Sequence, residues 1–241
     1  MSAVAAGLWL AATLLPFSTV LASGLQVTPV SLSLPANQAA SGLWLRNTGD
    51  ASLHAQVRVY RWSQEGGTDR LEPSRALVVS PPMMQLAAGA SQLVRVIRTG
   101  APPATVEAAY RLVVNELPKT ASEGGLNFVL RYSIPVFVQP TGGNELQPDL
   151  HWSLVRDGGH MSLAVRNRGS GHAQISAVHM LDAAGHRQVL KKGLLGYVLP
   201  GQEMRWQLGT AAAALNSGAA LQARVNGETV TPALVPGAGS R

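Results

Sequence analysis

Residues 43–49 read Leu-Trp-Leu-Arg-Asn-Thr-Gly and run from alternating side chains into a polar turn signal. Alternation of apolar and polar residues is typical of a half-buried strand, and Asn and Gly tolerate the backbone angles of turns. The same arrangement returns 120 positions later, where residues 163–169 read Leu-Ala-Val-Arg-Asn-Arg-Gly. A second similarity relates residues 86–95, which read Leu-Ala-Ala-Gly followed by Arg95, to residues 199–205, which read Leu-Pro-Gly followed by Arg205. Two such similarities, occurring in the same order in both halves of the chain, predict two copies of one β-sandwich.

The rest of the chain after residue 24 has the same character. Short alternating runs are separated by Pro and Gly turn signals, including Pro81-Pro82 and Gly124-Gly125, and none shows a convincing helical period. Strands at this spacing favour an antiparallel sandwich or barrel. A Pro/Gly-rich seam at residues 139–144 separates the two halves. We therefore predict an all-β protein with one domain at 24–140 and a second at 141–241.

Composition excludes several classes of protein. The 241 residues are 46% hydrophobic and 13% charged, which argues against a disordered polyelectrolyte. The absence of cysteine removes disulfides, thiolate metal sites and a Cys nucleophile. The net charge is +6, but each half carries +3, from ten basic and seven acidic residues in 24–140 and nine and six in 141–241. Nucleic-acid binders concentrate such charge in a patch, so we predict no nucleic-acid partner.

The N-terminus has the pattern of a signal peptide. Residues 1–22 carry no charge and contain an apolar run too short to span a bilayer. Val20 and Ala22 supply the small residues of a cleavage site. We predict a signal peptide at 1–23, cleaved between Ala22 and Gly24, and no stable membrane insertion of the remaining chain. A buried N-terminal helix is the alternative.

One predicted strand is unusually long and apolar. Between residues 126 and 139 every even position is apolar, which makes one face apolar for thirteen residues, or about 43 Å at ~3.3 Å per residue. Typical strands have about 5–6 residues. Pro135 lacks an N–H and belongs on an edge strand or at a bulge. The strand either belongs to this protein's own core or pairs with another protein. A long apolar edge also predicts that the protein self-associates when no partner is bound.

Three segments then resemble a known family. Residues 81–95 follow the pattern PP-x-x-x-L-x-x-G-x-x-Q-x-x-R, residues 110–118 end in Glu-Leu-Pro, and residues 131–137 read Arg-Tyr-Ser-Ile-Pro-Val-Phe. Together they resemble periplasmic pilus-assembly chaperones, and the last segment is similar to the archaic branch that builds spore-coat-protein-U-like pili. The resemblance implies two immunoglobulin-like domains set as a boomerang in the periplasm. It implies pilus subunits and an outer-membrane usher as partners.

The resemblance also implies how a subunit is held. The family lends a strand to a subunit that lacks its last strand, so the inserted side chains would be Leu126, Phe128, Leu130 and Tyr132. Relatives anchor the subunit's C-terminal carboxylate with Arg and Lys, but Ser31 and Pro135 occupy those positions here. Arg131 is a candidate replacement, with a solvated edge charge as the alternative.

A further pair implied by the family is Arg95 with Glu107, an ion pair that bridges toward the second domain near residues 225–228. An ordinary surface pair is the alternative. Catalysis is not expected, because the six histidines form no H-E-x-x-H and the chain has no G-x-S-x-G, P-loop or dinucleotide motif. We predict no cofactor and no metal. The other class of function to consider is a secreted β-sandwich binding module or adhesin.

Overall fold

The computed structural model describes residues 24–118, 129–142, 146–157, 160–182, 184–208, 215 and 219–236. These ranges contain eighteen β-strands and no α-helix. Accordingly, no helix in the described part of the chain is long and apolar enough to cross a membrane. The strands form four sheets, two from the first half of the chain and two from the second.

The first ten strands build the first domain. They are β1 (Leu25–Thr28), β2 (Leu32–Leu34), β3 (Ala40–Asn47), β4 (Leu53–Glu65), β5 (Thr68–Pro73), β6 (Leu77–Ser80), β7 (Met83–Leu86), β8 (Ser91–Arg98), β9 (Ala108–Leu117) and β10 (Arg131–Val138). One sheet has the order β1-β3-β8-β6, and the other has the order β2-β10-β9-β4-β5, with β7 also paired to β4. Their inward side chains form one apolar core.

The remaining strands build the second domain. They are β11 (Leu150–Asp157), β12 (His160–Asn167), β13 (Ala173–Leu181), β14 (Arg187–Val198), β15 (Glu203–Gln207), β16 (Ala220–Val225), β17 (Glu228–Val230) and β18 (Leu234–Pro236). They form sheets of order β15-β12-β11-β18 and β14-β13-β16-β17 around a separate core.

The sequence echo corresponds to a repeated structural element. Asn47 and Asn167 end equivalent strands, and both side chains are fully buried. Each amide nitrogen donates to the carbonyl oxygen four residues later, at 2.8 Å, and each amide oxygen accepts from the N–H two residues later. Buried polar groups need such partners, which is why the same residue closes the same turn in both domains.

Burial along β4 explains how the domains meet. In its first half the odd residues 53, 55 and 57 point into the first core, whereas near its end the even residues Trp62 and Gln64 are buried. Because alternate residues point to opposite faces, the end of β4 must be covered on its outer face. The second domain covers it there. We call this contact the domain joint; it comprises Trp62, Gln64, Glu107, Ala109, Arg111 and Phe137 against Ser170, His172, Tyr197 and Leu199.

The predicted long strand is shorter in the structure. Within the described residues it begins at Arg131, and the two residues before it, 129 and 130, are not in a strand. Of the two positions expected for Pro135, an edge or a bulge, the structure shows a local edge. Although β10 lies between β2 and β9, β2 pairs in parallel only with residues 136–138, and no described strand pairs with residues 131–135 on that side. Pro135 therefore sits where its missing N–H leaves no gap in a ladder.

Candidate functional site: an edge strand beside the domain joint

Strand β10 is paired along one side and open along half of the other. Its eight residues pair antiparallel with β9, from Arg131 opposite Asn115 to Val138 opposite Ala108. On the opposite side β2 covers only residues 136–138. Among the described residues, no strand pairs with positions 131–135 on that side, which leaves a backbone edge of the kind that accepts an additional strand. The Ser133 carbonyl oxygen accepts from the Arg111 side chain at 3.4 Å.

The inward face of β10 belongs to this protein's own core. Ile134, Val136 and Val138 are almost completely buried there, and Leu130 and Tyr132 are partly buried against the same core. The expectation that Leu130 faces only a partner is therefore wrong for the free chain. The reason is that even residues of one strand share a face, so the apolar row that fills the core continues to its rim.

The start of the strand is attached to the end of β9. The Glu116 main-chain N–H donates to the Leu130 carbonyl oxygen at 2.9 Å, and the Leu130 N–H donates to the Glu116 carboxylate at 3.3 Å. Farther along, the Tyr132 hydroxyl donates to the Leu25 carbonyl oxygen at 2.6 Å. Glu116 of the Glu-Leu-Pro motif thus fixes where the strand leaves the sheet. The other two predicted donor residues, Leu126 and Phe128, lie outside the described residues.

A partly desolvated cation, Arg111, lies opposite Pro135 in the β9–β10 register. Its guanidinium carbon stands 3.6 Å from the centroid of the Trp62 ring and 5.3 Å from that of Tyr197. Burial lowers the pKa of Arg111, and the Asp69 carboxylate, 4.0 Å away, opposes this effect. An arginine remains charged under these conditions, so the joint holds a positive group with an incomplete ion pair. Sequence reasoning missed this residue, because its place opposite Pro135 and beside Trp62 and Tyr197 is set by strand register and domain packing.

The predicted anchor, Arg131, and the residues at the two anchor positions of relatives, Ser31 and Pro135, lie in different surroundings. Arg131 is exposed at the first position of β10, opposite Asn115, and Ser31 is exposed just before β2. Pro135 is buried. The structure therefore places Arg131 on the open edge and Arg111 at the joint, four residues apart along the register.

Glu107 lies at the joint, but its partner differs from the predicted one. Its carboxylate accepts from the His172 main-chain N–H at 3.0 Å and lies 2.6 Å from the His172 ring nitrogen Nδ1. Arg95 is exposed on β8, and the salt bridges found among the described residues do not join it to Glu107. Register explains the difference, since Arg95 pairs opposite Gly42 and Ser80 in the sheet that does not form the joint.

Gln64 connects the two domains through backbone groups. Its side-chain nitrogen donates to the Tyr197 carbonyl oxygen and its side-chain oxygen accepts from the Leu199 N–H, both at 2.9 Å. The nitrogen also donates to Asp69. Two complementary hydrogen bonds from one buried amide fix distance and orientation together. No group of three or more His, Asp or Glu side chains in the described ranges is placed to hold a metal ion.

Comparison with solved structures identifies the same architecture elsewhere. A chain of the CsuC–CsuE chaperone–tip adhesion subunit complex, from the archaic Csu pili of Acinetobacter baumannii, is 25% identical, with a TM-score of 0.69 over 89% of this chain and 99% of that chain. The Pseudomonas aeruginosa CupB2 chaperone is 17% identical, with a TM-score of 0.57 over 86% and 98%. A chain of the Salmonella enterica SafA pilin–SafB chaperone complex is 16% identical, with a TM-score of 0.61 over 88% and 97%.

These matches confirm the predicted fold class, two immunoglobulin-like sandwiches arranged as a boomerang. Comparison with curated protein sequences gave no match. The family model described as pili and flagellar-assembly chaperone, PapD N-terminal domain, matches residues 24–144, which is half of the chain. The chain therefore belongs to the PapD-type family of pilus-assembly chaperones.

Proposed function

We propose that this chain is a periplasmic chaperone that captures pilus subunits by lending them the first half of β10 together with the residues before it. It then delivers them to an outer-membrane usher. The observation that carries the proposal is that no described strand covers residues 131–135 of β10 on one side, whereas residues 136–138 of the same strand are paired on both sides. The mechanism consists of binding and release, without a chemical step.

The division of β10 into two halves suits this role. Residues 136–138 are held between β2 and β9, so the strand keeps its register while its open half binds. An incoming subunit strand would add to that edge by main-chain hydrogen bonds, and the apolar row would fill the subunit's groove. Leu126 and Phe128 would enter the groove fully, whereas Leu130 and Tyr132, at the rim of the chaperone's core, would contact both proteins. Full burial of the first two side chains contributes on the order of 3–6 kcal/mol before the costs of association, and the two at the rim add less.

The subunit's terminal carboxylate requires a cation near this edge. Arg131 is on the open edge and reaches solvent, so its pairing with a carboxylate would be weakened by water. Arg111 is opposite Pro135, already partly desolvated, and has Asp69 only at 4.0 Å. A charge-assisted hydrogen bond is stronger in such a site. We infer that Arg111 is the principal anchor and that Arg131 has a secondary role.

The decisive experiment substitutes one face of the lent segment. Phe128→Asp would bring a carboxylate into an apolar groove without a partner, which costs several kcal/mol, whereas Asn127→Asp is a matched control on the opposite face. Each variant is co-expressed with a small pilus subunit, and co-purification and melting temperature are measured together.

We expect Phe128→Asp to lose the subunit with little change in melting temperature, and Asn127→Asp to behave like the wild type. A large fall in melting temperature for Phe128→Asp would show that the side chain belongs to the chaperone's own core. A wild-type chain that retains no subunit would instead favour a secreted binding module.

A further inference from the structure

One second-domain residue, His172, lies directly against the proposed subunit-binding strand. Its ring and that of Phe137 have centroids 3.5 Å apart and planes inclined by only 2°. Phe137 is on β10, two positions beyond Pro135, and is 2% exposed. The outer face of the held half of β10 therefore contacts the second domain through Phe137, which stacks on His172 and also packs near Tyr197.

The same histidine is held by Glu107. One carboxylate oxygen, Oε2, accepts from the His172 main-chain N–H at 3.0 Å and lies 2.6 Å from Nδ1. A carboxylate only accepts hydrogen bonds, so Nδ1 carries the proton in this contact. The Glu107 side chain is 4% exposed and the His172 side chain 26%. The ring is thus fixed in its plane by Glu107 and across its face by Phe137.

The backbone around His172 is also fixed, so the ring cannot move independently of the second domain. The Glu107 N–H donates to the Ser170 carbonyl oxygen at 3.0 Å, and the His172 carbonyl oxygen accepts from the Asn226 side chain at 3.2 Å. The buried Asn167 side chain donates to the carbonyl oxygen of Gly171 at 2.8 Å. A displacement of the second domain would therefore be transmitted through the ring to Phe137 and β10.

We propose that His172 is a positioning residue that sets the angle between the second domain and β10, and thereby the shape of the cleft in which a subunit is bound. The inference rests on the proposed chaperone function for its second part only. The ring acts through Phe137 and Glu107 and does not itself contact the subunit. Each contact spans the two domains, so loss of the ring changes their relative orientation while leaving both cores intact.

The test combines small-angle scattering of the free chain with subunit capture. His172→Ala removes the contacts of the ring with Phe137 and Glu107, which span the two domains, and also its contact with Tyr197 in its own domain; Phe137→Leu removes the stack from the other side. We expect both variants to broaden the distance distribution derived from small-angle scattering, because the domains adopt a wider range of orientations. We also expect both to lower subunit affinity about tenfold, within the range typical of coupling between sites. His186→Ala is the matched control, because that histidine is 83% exposed and pairs only locally with Asp182.

His172→Phe retains a ring that can stack on Phe137 but cannot donate to Glu107, so it is expected to fall between the wild type and His172→Ala in both the scattering profile and the affinity. If His172→Ala does not fold, His172→Phe and Phe137→Leu are compared in its place. A scattering profile of His172→Ala and Phe137→Leu that superposes on the wild type overturns the proposal, as does a changed profile with unchanged subunit capture. If the wild type captures no subunit, the proposed function fails, while the scattering result still decides the role of His172 in orientation.

Discussion

Gln64 provides the sharpest test of how the two domains are held together. Gln64→Leu keeps nearly the same volume but removes the side-chain amide that bonds the Tyr197 carbonyl oxygen and the Leu199 N–H, both at 2.9 Å. Gln64 is 3% exposed, so water does not readily replace the amide. Each buried backbone group left without a partner costs about 1–3 kcal/mol, which gives roughly 2–6 kcal/mol for the two.

The loss of these two hydrogen bonds weakens the contact between the domains and leaves the core of each domain unchanged. The apolar part of the joint, formed by Trp62, Ala109, Phe137, Tyr197 and Leu199, remains in the variant. We therefore expect the domains to separate part of the time, with an increased radius of gyration by small-angle scattering. Calorimetry should show two resolved unfolding transitions where the wild type shows one broader transition.

The matched control is Gln56→Leu, on the same strand but away from the joint. It should leave both measurements unchanged, since its side chain has no hydrogen bond to the second domain among those found in the described residues. Scattering and calorimetry of Gln64→Leu that superpose on the wild type would refute the reasoning, because they would mean that the apolar contacts alone hold the joint.

Three further predictions concern the anchor, the repeat and the joint. Arg111→Met should reduce recovery of the chaperone–subunit complex by about tenfold or more, and Arg131→Met by only a few-fold. The reason is that a desolvated charge pair is stronger than an exposed one. Equal losses of the two variants in a pull-down would contradict this order. Asn47→Ala removes a side chain that makes four hydrogen bonds and should destabilise the first domain by roughly 2–6 kcal/mol in urea unfolding, whereas a change below about 1 kcal/mol would contradict the structure. Glu107→Gln should weaken the joint measurably by scattering, because the amide accepts less strongly from His172; a profile identical to the wild type would limit Glu107 to a local role.

Three features, one in the second domain and two in the first, illustrate what local sequence could and could not predict. The Asn-x-Gly turn after β12 was recognisable because a buried asparagine at a strand end has a local chemical requirement that its neighbours satisfy. The uncovered edge at residues 131–135 was likewise predictable from Pro135, whose missing N–H favours an edge or a bulge. In contrast, the partial burial of Leu130 could not be read from alternation, which indicates that even residues share a face but not what covers that face.

The sequence by itself determined the all-β class, the repeated sandwich and the family, because strand alternation, turn chemistry and motif spacing are properties of neighbouring residues. Only the tertiary structure decided the partners at the joint. Glu107 meets His172 across 65 positions, and Gln64 meets Leu199 across 135. Such contacts depend on how two independently folded sandwiches are placed against each other, which no periodicity within either domain encodes. For the same reason Arg111 appeared as an ordinary strand residue until the second domain was seen to desolvate it beside Trp62 and Tyr197.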